Sequence, residues 1–434
     1  MIQCGAATTM ITNELGTVIQ GATVGGTAKS VRDELEANAL YLACNDTAML
    51  LVSCDFGGLE PRWTLAARKA MAAASGVPER NILIGSTHTG GPSIIPSNYQ
   101  KAIDERYLTE LIGRLAHLAT HTVERATEAV LRHGQGQARI GYNRRCCWAD
   151  GTHSMFGNPH REDFIGLEGP DDPTHTAIGL DTPDGRTLAV LQANTGHPCT
   201  FYGADFYSAD FPGTARGFLR QALGEIPVLF FNGAQGDICT HDIARTERRE
   251  SPERQLARLG HLLAGETLRL LHEAPPLTEP VLRHAFTDLK VNLRLPSEEK
   301  LAWAQSVLAR VDAGEKVPGM EMAMAHGTVL LWKRFGEDPT DLLAIHAIRL
   351  GNLAILSQPC ELFCQYGLDM RRRSPAPMTA IFGLTDGYHG YCPTPSALCG
   401  GGYSGDPIYW TRFGFDTGDR IVDQASRLLH SLWR

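Results

Sequence analysis

The chain has 434 residues, 43% of them hydrophobic and 20% charged, with a formal net charge of -8. That composition belongs to an ordinary globular protein with a sizeable core, and the acidic balance argues against nucleic-acid or anionic-membrane partners, because no basic surplus exists to neutralise phosphates. No stretch approaches the roughly 20 apolar residues of a membrane helix, so no membrane insertion is expected.

Residues 1–22 read as strand and turn. Ala39–Ala43 and Ala48–Ser53 form a strand pair joined by the Asn45-Asp46 turn, and the second strand delivers Asp55 and Gly57-Gly58 to a loop. Arg62–Ser75 is Ala-rich and helical, and Asn81–Ile84 is a short buried strand that breaks at Gly85-Ser86-Thr87-His88-Thr89-Gly90-Gly91-Pro92. Leu108, Leu111, Ile112, Leu115 and Leu118 recur at helical spacing and predict a helix over 105–132. From 140 to 184 the sequence is irregular and rich in Gly, Pro, Asp and His, the texture of a functional loop region.

The apolar runs Thr187–Asn194 and Val228–Phe231 flank a helical segment opening at Ser208-Ala209-Asp210-Phe211-Pro212-Gly213, which predicts a parallel βαβ unit. His197 and Asp237 lie just past its two strand ends, at the edge where open α/β sheets bind ligands. Pro252–His272 is a further helix, and Pro275-Pro276 a boundary. Val281–Leu295 alternates like a strand, Ser297 is a helix N-cap candidate, and 296–350 is expected to be a helical layer. Leu353–Ser357 and Met378–Leu384 are the last buried strands. The short cluster Arg371-Arg372-Arg373 reads as a solvated helix end.

Neither repeats nor low-complexity segments occur, so the expectation is one α/β domain over 1–434: a mixed, largely parallel sheet core with helices on its faces. Its parts are a βα core over 1–275, a mainly helical layer over 276–350, and a return to the core over 351–434. Eleven cysteines without CxxC spacing predict reduced, mostly buried thiols in a cytoplasmic protein. The start Met1-Ile2-Gln3-Cys4-Gly5 lacks the basic and apolar regions of a secretion signal, which agrees with that location.

Four apolar runs end in loops carrying His88, His197, Glu361 and Tyr388. Singly each has a plainer reading: a hydrogen-bonded histidine, a salt-bridged carboxylate, a packed ring. Strand ends on one rim can nonetheless gather residues far apart in sequence. Two imidazoles and a carboxylate suit Zn²⁺ with room for water or a weaker ligand.

The loops also carry a resemblance. Ser86–Pro92, Asn194-Thr195-Gly196-His197-Pro198, Ser208–Gly213, Asn232–Asp237, Pro359-Cys360-Glu361 and Gly387-Tyr388-His389-Gly390-Tyr391 resemble, in order, the motifs of the neutral/alkaline (non-lysosomal) ceramidase family. The likeness covers the catalytic domain and runs through nearly the whole chain. It implies one zinc ion per chain held by His88, His197, Glu361 and Tyr388, with Tyr391 the fallback for the last. Two departures stand out: Gly90 replaces a second histidine thought to help bind substrate, and Cys239, between Asp237 and His241, stands where ceramidases have a serine. The resemblance ends with the chain, so the family's C-terminal immunoglobulin-like domain is expected to be absent. A small, polar N-acyl or amide compound is then the expected substrate.

Metal-dependent hydrolysis follows as the expected chemistry, since bound Zn²⁺ acidifies water and polarises a carbonyl. Backbone N–H groups of Gly90 and Gly91 would face the oxyanion. His389, His153, His241 and Tyr391 are candidates to protonate the leaving group, and Asp55 and Asp237 would orient ligands from behind. Cys239 is either a nucleophile or inert packing. The glycine-dense loop Gly400–Gly405 reads as a mobile flap. The rivals are an esterase or lactonase, a two-metal phosphatase or nuclease built on Asp55 and Asp237, and a metal-binding protein without catalysis. The partners expected are a small-molecule substrate and, compatibly, a second copy of the chain.

Overall fold

The computed structural model describes residues 2–19, 26–91, 99, 103–201, 203–245, 250–277 and 280–434; Met1, residues 20–22 of the opening segment and Pro92 of the first histidine loop lie outside them. Twelve main strands make two sheets. The larger contains β1 (Ile2–Met10), β2 (Glu36–Cys44), β3 (Thr47–Cys54), β4 (Ile82–Ser86), β5 (Thr127–Gln137), β6 (Thr174–Asp181), β7 (Thr187–Asn194) and β8 (Val228–Asn232), in the order β8-β7-β6-β5-β1-β2-β3-β4. The smaller contains β9 (Leu282–Asn292), β10 (Thr340–Leu350), β11 (Leu353–Ser357) and β12 (Met378–Phe382), in that order.

The two sheets stack face to face. Leu40, Leu51, Leu83, Ile178, Leu191 and Phe231 of the larger sheet share one core with Ile348, Ile355, Ala380 and Phe382 of the smaller. On the outer face of the large sheet lie α1 (Pro61–Ser75) and α2 (Glu105–Glu124) at one end, and α3 (Asp210–Leu223) and α4 (Pro252–Glu273) at the other. The small sheet is covered by α6 (Gly319–Phe335), α7 (Cys364–Arg373) and α9 (Thr417–Leu432), with α5 (Glu298–Asp312) packed on α6 and Ala397 of the short α8 (Pro395–Gly400) joining the same core. The result is a four-layer α/β/β/α stack. No helix among the described residues is long and apolar enough to cross a membrane.

Mixed α/β architecture holds, and the βαβ unit over β7, α3 and β8 is parallel as expected. The description "largely parallel" does not hold. In the large sheet β1/β2, β1/β5, β5/β6, β6/β7 and β2/β3 are antiparallel, and only β7/β8 and β3/β4 are parallel. The misleading signal is physical: continuous apolar runs mark strands buried on both faces, and a second sheet buries a face as well as crossover helices do. The helix expected over 105–132 stops at Glu124, because Thr127–Gln137 pairs with both β1 and β6. The helical layer over 296–350 likewise gives way to β10, whose alternation is hidden by burial on both faces. The irregular 140–184 stretch holds short strands and all of β6.

The large sheet curls until its two ends meet. Ser53 on β3 donates to the Phe230 carbonyl at 2.7 Å and accepts from the Phe230 N–H at 3.1 Å on β8. Asn232 then donates to the Thr87 carbonyl at 2.7 Å, and the Gly383 N–H after β12 donates to the Asn232 carbonyl at 2.7 Å. Curling brings the ends of β4, β7, β8, β11 and β12 to one rim.

Candidate metal centre

His88 leaves β4 in the left-handed region, with φ +68°, and its N–H donates to the Phe56 carbonyl at 3.0 Å. Its Nδ1 rests on the Gly57 carbonyl, and Nδ1 of His197 rests on the Gln235 carbonyl at 3.0 Å. A carbonyl can only accept, so each ring carries a proton on Nδ1, and Nε2 is the nitrogen left to hold a cation. Those Nε2 atoms lie 3.4 Å (His88) and 3.9 Å (His197) from Oε2 of Glu361. Donor atoms of the three residues all fall within 4.8 Å of one another.

Glu361 is held from both sides. Its N–H donates to the Gly390 carbonyl at 2.9 Å, and it pairs in parallel register with Tyr391. Gly236 packs so close that a Cβ there would lie 2.3 Å from the Glu361 carbonyl oxygen. The Tyr388 hydroxyl donates to Oε1 at 2.8 Å, while Oε2 is buried and accepts no hydrogen bond. Burial alone would raise this carboxyl, but His88 and Arg144 hold it below its ordinary value. Burial, then Arg144 and His88, push His197 well below the usual imidazole range. Two imidazole Nε2 atoms and a buried carboxylate oxygen therefore point at one spot. A divalent cation such as zinc fits that donor set.

Tyr388 stacks on His88, with centroids 6.3 Å apart, as well as bonding to Glu361. Tyr391 accepts from Nη2 of Arg144 at 3.2 Å. Burial and Glu361 push both phenols well above their ordinary range, so both hydroxyls keep their protons. The centre sits in a cavity of ≈ 430 Å³ lined by His88, Gly90, His197, Glu361 and Arg144, with walls dominated by Phe, Tyr, Trp and Met side chains.

The remaining expected site residues divide. Gly90 lines the cavity, and a Cβ there would meet nothing within 4 Å. Gly91 does not serve the oxyanion: its N–H donates to the Thr89 carbonyl at 2.8 Å. Asp55 accepts from Arg216 at 2.7 Å and from the Thr87 hydroxyl at 3.2 Å, so it fixes the residue preceding His88 rather than touching substrate. Asp237 turns away too, accepting from Asn143 at 2.9 Å and from the Cys364 N–H at 2.8 Å; burial pushes it up to about 7. His389 is paired with Asp341 at 2.9 Å and His153 with Glu168 at 2.8 Å, and neither lines the cavity. Of the proton-donor candidates, Tyr391 and His241 reach it.

Cys239 does line the cavity, but its thiol donates to the backbone carbonyl of His241 at 3.0 Å, and burial pushes it up to about 12. The site thus presents a thiol, not the thiolate that nucleophilic attack needs. All eleven cysteines are free and most are buried. The glycine-dense loop is no free flap: Ser404 accepts from Arg145 at 2.6 Å and the Gly405 carbonyl from Arg294 at 2.9 Å. Arg144, a buried cavity cation, is the residue that sequence reasoning missed. It sits in an Asn143-Arg144-Arg145 run where nothing distinguishes it from Arg145.

No protein-family model matches the chain, and no curated protein does. Solved structures do match. Neutral ceramidase from Pseudomonas aeruginosa superposes with a TM-score of 0.75 at 16% identity, over 99% of this chain and 74% of that one. The chain has the ceramidase fold. A ceramidase complexed with C2 agrees, with a TM-score of 0.76 at 15% identity over 100% of this chain and 75% of that one. The ceramidase fold was legible in the order of the loop motifs, although identity is too low for whole-sequence matching.

Proposed function

We propose that the chain is a zinc-dependent hydrolase that cleaves the amide bond of an N-acyl compound. The observation that carries this reading is the buried, donorless Oε2 of Glu361 facing two imidazole lone pairs at the foot of a cavity. His88, His197 and Glu361 would hold the ion, with the Tyr388 hydroxyl beside it. When bound, the ion would supply Lewis acidity and an acidified water, a service worth several kcal/mol or more in hydrolases of this kind.

The chain's own groups do the rest. The carbonyls of Gly57 and Gln235 fix both imidazole tautomers, so no reorganisation is needed when the lone pairs are used. Aromatic walls exclude bulk water and strengthen every electrostatic contact inside. Tyr391, which lines the cavity and keeps its proton, would give that proton to the departing amine. The apolar lining favours an acyl group of hydrocarbon character over the small, polar compound expected from the sequence.

The same centre could open an ester or lactone; the ceramidases that share the fold favour the amide. The two-metal alternative is disfavoured because Asp55 and Asp237, its required bridging acids, bind Arg216, Asn143 and backbone instead. The test is turnover of a panel of N-acyl amides, esters, lactones and phosphate esters by zinc-loaded and chelator-treated protein. Chelator-sensitive amide cleavage is expected. Phosphate release, or bound zinc without turnover of any of them, would overturn the reading.

A further inference from the structure

Burying a guanidinium without a carboxylate beside it is costly, because the charge leaves water with nothing to replace it. Three other buried arginines obey that rule. Arg145 sits 2.5 Å from Glu168, Arg216 2.7 Å from Asp55, and Arg412 2.7 Å from Asp341. Arg144 does not. It is 4% exposed, and its Nη2 donates to the Gly236 carbonyl at 2.9 Å and the Tyr391 hydroxyl at 3.2 Å. Its Nε is buried and has no acceptor. Arg68 also lacks an ion pair, but it does not line the cavity of the centre and donates to the Glu79 carbonyl.

Arg144 differs in lining the same cavity as His88, His197 and Glu361. Its guanidinium carbon lies 5.5 Å over the Phe156 ring and 6.0 Å from the Tyr391 ring, so its plane is fixed against aromatic faces. Glu361 is the carboxylate closest in influence, and its oxygens are directed at Tyr388 and the two imidazoles. The cavity therefore offers one permanent positive charge with no carboxylate hydrogen-bonded to it: Glu361 is turned to Tyr388 and the imidazoles, and Asp210, which also lines the cavity, accepts from the Thr200 hydroxyl at 2.8 Å and the Thr200 N–H at 2.9 Å.

We propose that Arg144 binds a carboxylate of the substrate, so that the preferred substrate is an N-acyl amino acid whose carboxylate sits on the carbon next to the scissile nitrogen. This rests on the amide-hydrolase reading and deepens it. The acyl chain lies along the apolar wall, the amide carbonyl faces His88, His197 and Glu361, and the carboxylate meets Arg144 a few ångströms further on. Guanidinium and carboxylate match in shape and charge. An uncharged counterpart would leave the arginine buried and unsatisfied, which is a strong basis for rejection.

The test compares N-acylglycines with the corresponding N-acyl ethylamines or glycine amides, which keep the scissile bond and lose the charge. On the zinc-loaded protein kcat/KM should favour the carboxylate by about 100-fold, and Arg144→Gln should erase the preference mainly by slowing the carboxylate substrate. Calorimetric binding of the N-acylglycine under chelation gives a readout independent of turnover, and it should weaken to a similar degree in Arg144→Gln. Arg144→Lys guards against misfolding and should restore part of the discrimination. Equal kcat/KM for charged and uncharged substrates would overturn the proposal while leaving the amide hydrolase standing. So would an equal loss on both substrates in Arg144→Gln, which would make the residue part of the reaction itself. Carboxylate-selective binding without turnover of either substrate would sink the hydrolase reading and keep the carboxylate site.

Discussion

Proton placement on two histidines decides what the centre can do. Because Gly57 and Gln235 offer only carbonyl oxygens to Nδ1, both Nε2 atoms are left for the spot that Glu361 Oε2 also faces. Cys239 shows the opposite economy: its proton is spent on the His241 carbonyl, and burial holds the thiol up to about 12. Cys239→Ser should therefore keep its zinc, and its turnover should stay within about fivefold of the parent, since a serine hydroxyl can make the same hydrogen bond at a net difference of ~1 kcal/mol. Zinc analysis alongside steady-state kinetics checks this. Retained zinc with a loss of turnover beyond about 1000-fold would restore the nucleophile. At this scale the sequence was informative about ligand type and silent about orientation. His389 and His153 looked as suitable as His241, yet Asp341 and Glu168 claim them and neither lines the cavity.

Among the elements, the joint between β3 and β8 matters most, because it lets the first histidine loop meet the second. One hydroxyl, that of Ser53, satisfies both the N–H and the carbonyl of Phe230. Ser53→Ala should cost ~1–3 kcal/mol, the penalty for leaving buried polar groups unpaired, and denaturant unfolding measures it. A neutral substitution would mean that the joint is held by packing alone. Asp237 clamps the Asn143 and Cys364 segments, and burial pushes its carboxyl from 3.8 up to about 7. An acid raised on folding contributes stability fully below its unfolded value, and loses it as the pH rises through its folded value. Stability should accordingly fall between about pH 4 and pH 7 on this account, with Asp210, pushed up to about 6, adding to the lower part of that window. Asp237→Asn should flatten the upper part of the profile; an unchanged slope in thermal unfolding against pH would contradict the assignment. Strand–helix–strand order at β7, α3 and β8 was readable from periodicity. The β1–β5–β6 ladder was not, since Thr127–Gln137 follows a helix without a break that propensity recognises.

At the scale of the molecule, stacking two sheets explains both what the sequence disclosed and what it concealed. Each strand end that carries a ligand follows a run buried on both faces, and such runs were visible as short apolar stretches ending in Gly-, His- or Pro-bearing loops. Their direction was not visible, because a covering sheet and a covering helix leave the same apolar trace. The curl of the large sheet is invisible for the same reason: it depends on Ser53 and Asn232 meeting Phe230 and Thr87, contacts between segments more than a hundred residues apart. Arg144 was hidden because an arginine is judged by the carboxylate it lacks, which only the folded chain reveals. The claim on which everything else depends is that His88, His197 and Glu361 meet around one cation. Its most direct test is the zinc content of the purified, zinc-loaded protein beside that of His197→Ala and Glu361→Gln, with folding monitored by circular dichroism. The account predicts one tightly held zinc in the parent chain and loss of it in both folded variants. A parent that binds no zinc, or folded variants that keep it, would contradict the account.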